Sequence, residues 1–171
     1  YLDQNGVMLT WWQKLGNMHY YFNAGGYMLT GWVKINNSWY YFNSSGAKQT
    51  GWTQVGNAWY YLDSNGIMQT GWLKLGNSWY YLNPSGARQI GWQRINGIWY
   101  YLNNQGIMQT GWQPIGGNWY YLNPDGSMKT GWMKVNDAWY YFTDSGAMAT
   151  SDITIDGQVN SFSSSGIWQG V

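Results

Sequence analysis

The sequence predicts an all-β fold, a solenoid of stacked β-hairpins with about 20 residues per repeat. Two observations predict it: Gly-Trp pairs and Trp-Tyr-Tyr triplets recur at this period, and a turn signal of two Gly, Asn or Asp residues separates them in each copy. The pairs begin at Gly31, Gly51, Gly71, Gly91, Gly111 and Gly131, and the triplets at Trp39, Trp59, Trp79, Trp99, Trp119 and Trp139. Because a lone hairpin is marginal in water, stability has to come from stacking successive hairpins.

The turn position predicts the register of each hairpin. With Asn36-Asn37 as the loop, Trp32 lies opposite Tyr41 and Lys34 lies opposite Trp39. Because side chains alternate between faces, Trp32, Trp39 and Tyr41 share an aromatic face. The opposite face carries Val33, Ile35, Tyr40 and Phe42. We expect this more aliphatic face to line the axis of the stack.

The last copy of the repeat is degenerate. It keeps a turn at Asp156-Gly157 but has lost the aromatic face. The four changed positions are Asp152, Val159, Asn160 and Ser161. We therefore expect a repeat array over residues 1–150 and a capping hairpin with a tail over residues 151–171.

Composition excludes several classes of function. The net charge of +1 and only eight Lys plus Arg leave no basic patch for a nucleic acid. With one His and no Cys, no metal or nucleophile site is expected. All seven acidic residues are Asp, mostly in turn positions, which favours turn capping over catalysis. No apolar run is long enough to cross a bilayer. We expect no enzyme activity and no cofactor in this segment, and a secretion signal and any catalytic domain to lie outside it.

The repeated aromatic residues have two interpretations. Trp and Tyr bury large areas, so they could simply form a core. However, Trp recurs unvaried at two positions in six successive copies, and the degenerate copy loses Trp and Tyr together while keeping its turn. Two indoles and a phenol at a hairpin junction form an electron-rich box that favours a soft cation. The pattern therefore favours a ligand cage.

The pattern Gly-Trp, six residues, Trp-Tyr-Tyr-Phe/Leu, then Gly-x-Met-x-Thr-Gly-Trp resembles the choline-binding repeats of surface proteins and lysins of Gram-positive cocci and their phages. The resemblance covers residues 1 to 162. It implies that the chain is secreted, associates with the cell wall or cell surface, and anchors a surface protein or lysin to choline or phosphocholine of teichoic and lipoteichoic acids. It also implies that each choline lies between two Trp of one repeat and a Tyr of the next, often closed by a Met.

The resemblance implies five complete sites in this chain. They are Trp32, Trp39 and Tyr61; Trp52, Trp59 and Tyr81; Trp72, Trp79 and Tyr101; Trp92, Trp99 and Tyr121; and Trp112, Trp119 and Tyr141. The second tyrosine of each pair is chosen because the register puts it on the tryptophan face; the first, such as Tyr60, is the alternative. The closing position is filled by Met28, Met68, Met108, Met128 and Met148.

Several junctions depart from the family pattern. Lys48 and Arg88 replace the closing Met, and a cation there would repel ammonium, so that we expect weaker cages. The Trp12 junction has His19 for its second Trp, and the junction of Trp132 and Trp139 meets Ser161. These last two are incomplete as choline sites.

Two alternatives stay open at the level of sequence. A glucan-binding repeat module also stacks its ligand on aromatic hairpins, although it would need flanking polar groups for the sugar hydroxyls. A structural or oligomerisation stalk would bury the aromatics between chains, and a homodimer is compatible with it. Elution of the bound chain by choline rather than by dextran distinguishes a choline-binding module from a glucan-binding module. Dimerisation without ligand would support a stalk.

Overall fold

The computed structural model describes all 171 residues, and every regular element is a β-strand. The strands are β1 (Trp11–Leu15), β2 (Met18–Phe22), β3 (Gly31–Ile35), β4 (Ser38–Phe42), β5 (Gly51–Val55), β6 (Ala58–Leu62), β7 (Gly71–Leu75), β8 (Ser78–Leu82), β9 (Gly91–Ile95), β10 (Ile98–Leu102), β11 (Gly111–Ile115), β12 (Asn118–Leu122), β13 (Gly131–Val135), β14 (Ala138–Phe142), β15 (Ile153–Ile155), β16 (Gln158–Phe162) and β17 (Trp168–Gly170). The predicted fold class, stacked β-hairpins, is confirmed.

Each hairpin pairs two consecutive strands in the predicted register. In β3 and β4, Trp32 lies opposite Tyr41 and Lys34 opposite Trp39. The turn residues Asn36 and Asn37 have φ angles of 47° and 67°, as a type I′ turn requires. The C-terminal copy differs, because β17 joins β15 and β16 as a third antiparallel strand.

Contacts between residues divide the chain into two compact units, Tyr1–Gln89 and Ile90–Val171. The predicted domains, a repeat array over residues 1–150 and a cap over residues 151–171, are defined from the repeat sequence and not from contacts. They stay a prediction. Each unit contains several consecutive hairpins.

The most deeply buried side chains share one position in the first seven hairpins, the last residue of the second strand. These side chains are at most 1% exposed: Phe22, Phe42, Leu62, Leu82, Leu102, Leu122 and Phe142. Burying one such side chain contributes about 1.5–3 kcal/mol. They belong to the face predicted to be aliphatic.

Within each compact unit, successive hairpins contact each other through opposite faces. Trp12 of the first hairpin lies 5.7 Å from Phe42 of the second, measured between ring centroids. In the second unit, Trp112 lies 5.6 Å from Phe142 in the same way. Within each unit, the aromatic face of one hairpin therefore packs on the aliphatic face of the next.

The loops between hairpins are held by Asx turns. Oδ1 of Asp63 accepts hydrogen bonds from the amides of Asn65, at 2.8 Å, and Ile67, at 2.9 Å. Asp3 does the same for Asn5 and Val7. The turn-capping role predicted for aspartates is confirmed at these two positions.

Candidate functional site

Three hairpin junctions contain cavities with the same kind of wall. The first is lined by Trp32, Trp39, Tyr60 and Met68, with Pro84 and Ser85 at its edge, and has a volume of about 340 Å³. The second, of about 310 Å³, is lined by Trp92, Trp99, Tyr120, Met128 and Ser145. The third, of about 230 Å³, is lined by Trp112, Trp119, Tyr140, Met148 and Ser165. We call these cavities the Trp32, Trp92 and Trp112 cages.

In the Trp92 and Trp112 cages, the two tryptophans meet edge to face. The ring centroids of Trp92 and Trp99 are 6.4 Å apart with perpendicular planes, and Trp112 and Trp119 are 6.4 Å apart at 80°. The second tryptophan of each cage stays open to solvent, with exposed fractions of 41% for Trp39, 40% for Trp99 and 46% for Trp119. A ligand can therefore reach the indole faces from outside.

The tyrosine in each cage is the first of its pair. Tyr60 lies 4.8 Å from Trp32, and Tyr120 lies 4.9 Å from Trp92. The second tyrosine, chosen from the register, contacts the first tryptophan of its own hairpin. Tyr61 is 5.3 Å from Trp52, Tyr81 is 5.2 Å from Trp72, Tyr101 is 5.2 Å from Trp92, Tyr121 is 5.4 Å from Trp112, and Tyr141 is 5.1 Å from Trp132.

The stacking of hairpins explains why the first tyrosine lines the cavity. The register correctly puts Tyr61 on the same face as Trp52, so the two side chains pair across their own hairpin. The opposite face of that hairpin, which carries Tyr60, is the one that packs on Trp32. Because Tyr61 lies on the same face as Trp52 of its own hairpin, its side chain points away from the preceding repeat.

The backbone fixes the closing residue against the second tryptophan. The amide of Met68 donates to the carbonyl of Trp39 at 2.8 Å. Met128 and Met148 make the same bond to Trp99 and Trp119. This hydrogen bond explains why the closing methionine, which lies in a later repeat than the second tryptophan, belongs to the same cage.

The closing methionine also depends on a glycine in the following loop. Gly86 has a φ of 86°, and a Cβ built on it would overlap the Met68 thioether. Turn geometry alone requires glycine there, and the structure adds a packing reason. In the second unit, Met108 packs against Gly126 in the same way.

At the Trp52 junction, a side chain of the protein occupies the position between the rings. The centre of the Arg88 guanidinium lies 5.6 Å from the Trp52 ring and 5.8 Å from the Trp59 ring. Tyr80 forms the third wall, 5.0 Å from Trp52. Trp59 is accordingly less exposed than Trp39. Arg88 is thus an internal cation in an aromatic cage.

A lysine takes the corresponding position at the Trp12 junction. The Lys48 ammonium lies 5.7 Å from the Trp12 ring and donates to the carbonyl of Asn65 at 2.6 Å. Partial burial lowers the pKa of Lys48, and the charge of Asp63 opposes that shift. His19, in place of the second tryptophan, is exposed.

Two further tryptophan pairs have the same geometry. Trp72 and Trp79 are 6.3 Å apart with perpendicular rings. Trp132 and Trp139 are 6.2 Å apart at 87° and line a cavity of about 360 Å³ together with Trp168. Sequence analysis missed Trp168, although its spacing from Met148 is one repeat.

The three cages share the same wall chemistry. Their walls are indoles, phenols and thioethers, with serine and proline at the edge. No group of three or more His, Cys, Asp or Glu residues could hold a metal ion. Indole faces within about 6 Å of a common point attract a cation through the ring quadrupole.

The structure has no helix that is long and apolar enough to span a membrane.

Comparison with known proteins places these cages in a family. The model of the choline-binding repeat matches residues 9–50, 49–88, 89–128 and 109–152. None of the curated proteins matches the chain. Many solved structures are similar to it, among them two bacterial proteins and a phage endolysin.

The first two structures are from Streptococcus pneumoniae. CbpJ is 42% identical over 99% of this chain and 61% of its own, with a TM-score of 0.88. Choline binding protein F, with a peptidoglycan analogue present, is 40% identical over 99% of this chain and 60% of its own, with a TM-score of 0.87. This chain thus spans about three fifths of the length of both.

The third structure is the pneumococcal cell wall endolysin from phage Cp-1, complexed with choline. It is 35% identical over 70% of this chain and 37% of its own, with a TM-score of 0.51. The family match and the identities agree with the aromatic junctions described above. The chain belongs to the choline-binding repeat family.

Proposed function

We propose that this chain is a non-catalytic cell-wall-binding module that holds the choline groups of teichoic and lipoteichoic acids in the Trp32, Trp92 and Trp112 cages. One observation carries the proposal. Equivalent rings at the Trp52 junction hold the Arg88 guanidinium at 5.6 and 5.8 Å, whereas at the three cages a neutral methionine leaves a cavity. The cages are thus cation sites without an internal cation.

The chemistry of the walls favours a quaternary ammonium group. Such a group is a cation with apolar methyl groups, so that it loses little hydration when it enters an aromatic box. The tryptophans present both faces and edges, and methionine adds a polarisable contact. The proposed ligand walls are therefore two tryptophans, the first tyrosine and the closing methionine.

The setting of this module in a whole protein is part of the proposal. Wall residues of the cages include no Asp, Glu, His, Lys or Cys side chain. The module therefore supplies attachment, and a secreted surface protein or lysin would supply any activity from another domain. Several cages on one chain would bind a polymer with repeated choline groups by avidity.

The glucan and stalk alternatives are less well supported. A sugar site needs hydrogen-bond partners for hydroxyls, but the cage walls are mainly aromatic and apolar, with few polar groups. A stalk has no need of solvent-accessible indoles such as Trp119, which is 46% exposed. The match to the choline-binding repeat model also favours choline.

Comparing choline with its neutral isostere tests the proposal. The change in tryptophan fluorescence should saturate with choline, and 3,3-dimethylbutanol should bind at least about 10-fold less well because it lacks the charge. Dextran should not compete. Equal binding of choline and dimethylbutanol would contradict the cation cages, and binding of dextran alone would favour a glucan module.

A further inference from the structure

We propose that Trp132, Trp139 and Trp168 form an additional cage for a quaternary ammonium group, made of three indoles and completed by the C-terminal strand. This inference rests on the proposed choline-binding function, and concerns the junction that sequence analysis regarded as incomplete. The three tryptophans line a cavity of about 360 Å³, as large as the Trp32 cage.

Trp168 takes the geometric place of the missing tyrosine. Its ring lies 5.7 Å from Trp132 at an interplanar angle of 82°. At the preceding junction, Tyr140 lies 5.1 Å from Trp112 at 67°. Trp112 and Trp132 therefore each meet one ring of the following repeat edge to face, and at the last junction that ring is an indole.

The position of Trp168 follows from the repeat. Met148, the closing residue of the Trp112 cage, lies opposite Phe142 in an isolated bridge. One repeat later, Trp168 in β17 lies opposite Phe162. Trp168 thus occupies the closing position, and its larger side chain also reaches the space that tyrosine fills elsewhere.

Asn160 holds the indole in this orientation. It stands in the tyrosine position, one repeat after Tyr140, and is 5% exposed. Its Oδ1 accepts a hydrogen bond of 3.0 Å from Nε1 of Trp168, and its Nδ2 donates to the carbonyl of Gln158 at 3.1 Å. A small amide at this position leaves room for the indole and satisfies its donor. Asn160 in place of tyrosine and Trp168 in the closing position therefore compensate for each other in this repeat.

The cage has no internal cation of the kind seen at Arg88. The nearest strand lysine in sequence, Lys134, forms an ion pair of 3.1 Å with Asp137 at the hairpin turn. The walls are three indoles, the aromatic side chain that attracts cations most strongly. Trp139 and Trp168 are 42% and 37% exposed, so that a ligand can enter. These features point to an external quaternary ammonium group as the occupant.

Fluorine NMR of the fluorotryptophan-labelled chain tests this cage directly. The Trp168→Phe variant identifies the Trp168 resonance. On titration of the unchanged chain with choline, that resonance should shift in a saturable way, and at least about 10-fold more dimethylbutanol should be needed for a comparable shift. The resonance of Trp11, outside the cages, should not move and serves as the control.

Each outcome separates this inference from the proposed function. If resonances of the Trp32 or Trp112 cages shift and that of Trp168 does not, the additional cage is wrong and the choline module stands. If no tryptophan resonance responds to choline, both are wrong. If dimethylbutanol shifts the Trp168 resonance as readily as choline, the cavity is merely apolar and the cage is wrong.

A second variant tests the role of Asn160 as a positioning residue. Asn160→Leu removes the acceptor of the Trp168 Nε1 hydrogen bond and should weaken choline binding at this cage by about 10-fold, the value of roughly one such bond. Val159→Ala, at an exposed neighbouring position, should leave it unchanged. An unaltered response of Trp168 in Asn160→Leu would contradict the positioning role.

Discussion

The Trp32 and Trp52 junctions have the same aromatic walls but different closing residues. In both, the first tryptophan meets the first tyrosine of the next hairpin, at 4.8 Å for Trp32 and 5.0 Å for Trp52. The closing amide bonds to the second tryptophan in both, from Met68 and from Arg88. Only Arg88 brings a charge between the rings. The comparison teaches that one side chain determines whether the space between the rings is an open cavity or holds a cation of the protein itself.

The largest expected effect comes from removing the second tryptophan of each junction. Trp39→Ala should lower the number of bound cholines by one per chain, because its ring is a wall of the open Trp32 cage. Trp59→Ala should leave the number unchanged, because Arg88 already occupies that junction. Equilibrium dialysis with labelled choline measures both.

The folded state has to be verified for both tryptophan variants. Replacing a buried Trp by Ala can cost about 3–5 kcal/mol, although these two rings are only partly buried. Circular dichroism of each variant before dialysis gives the folded fraction. Loss of a choline from Trp59→Ala in folded protein would mean that Arg88 does not close the Trp52 junction.

Exchanging the closing residues is the next test. Arg88→Met should open the Trp52 junction and add one bound choline per chain, and Met68→Arg should remove one. A gained site at a hundredfold excess of choline over its dissociation constant stabilises the folded state by about 2.7 kcal/mol, so that the melting temperature should rise more with choline in Arg88→Met. If Arg88→Met binds no additional choline, the closing residue does not control occupancy.

The adjacent tyrosines of one hairpin form a matched pair for the third test. Tyr60→Leu removes a wall of the Trp32 cage and should weaken that site by about 10-fold, since one ring contributes about 1–2 kcal/mol to holding a cation. Tyr61→Leu should leave choline binding unchanged, because Tyr61 packs on Trp52 in the closed junction. Dialysis at a fixed, subsaturating choline concentration detects the difference. The opposite result would restore the second tyrosine as the ligand wall.

The smallest expected effect concerns stability without ligand. Arg88→Met loses the contacts of the guanidinium with Trp52 and Trp59, so the free energy of unfolding should fall by about 0.5–1 kcal/mol in choline-free buffer. Arg94→Met is the control, because Arg94 is exposed and bonds only to the nearby carbonyl of Gly97. Urea unfolding measures both, and an equal loss in the two variants would argue against an internal cation–π contact.

Prediction from sequence succeeded where the structure is local. The pairing of Trp32 with Tyr41 follows from the turn at Asn36-Asn37 and from the alternation of side chains along a strand. The tryptophan pairs follow from the repeat, and the closing positions are implied by the resemblance to choline-binding repeats. Choosing Tyr61 over Tyr60 as a cage wall was a different kind of prediction. It used the register within one hairpin to infer a contact between two hairpins.

The amino-acid sequence by itself determined the repeat, the hairpins and their turns, because these depend on residues close together along the chain. Tertiary structure decided which face of the next hairpin meets each tryptophan pair, and so placed Tyr60 in the Trp32 cage. It also decided that Arg88 lies between two indoles and that the Trp168 ring contacts the Trp132 ring. Such contacts depend on how separate hairpins pack, and the alternation of side chains within one hairpin contains no information about that packing.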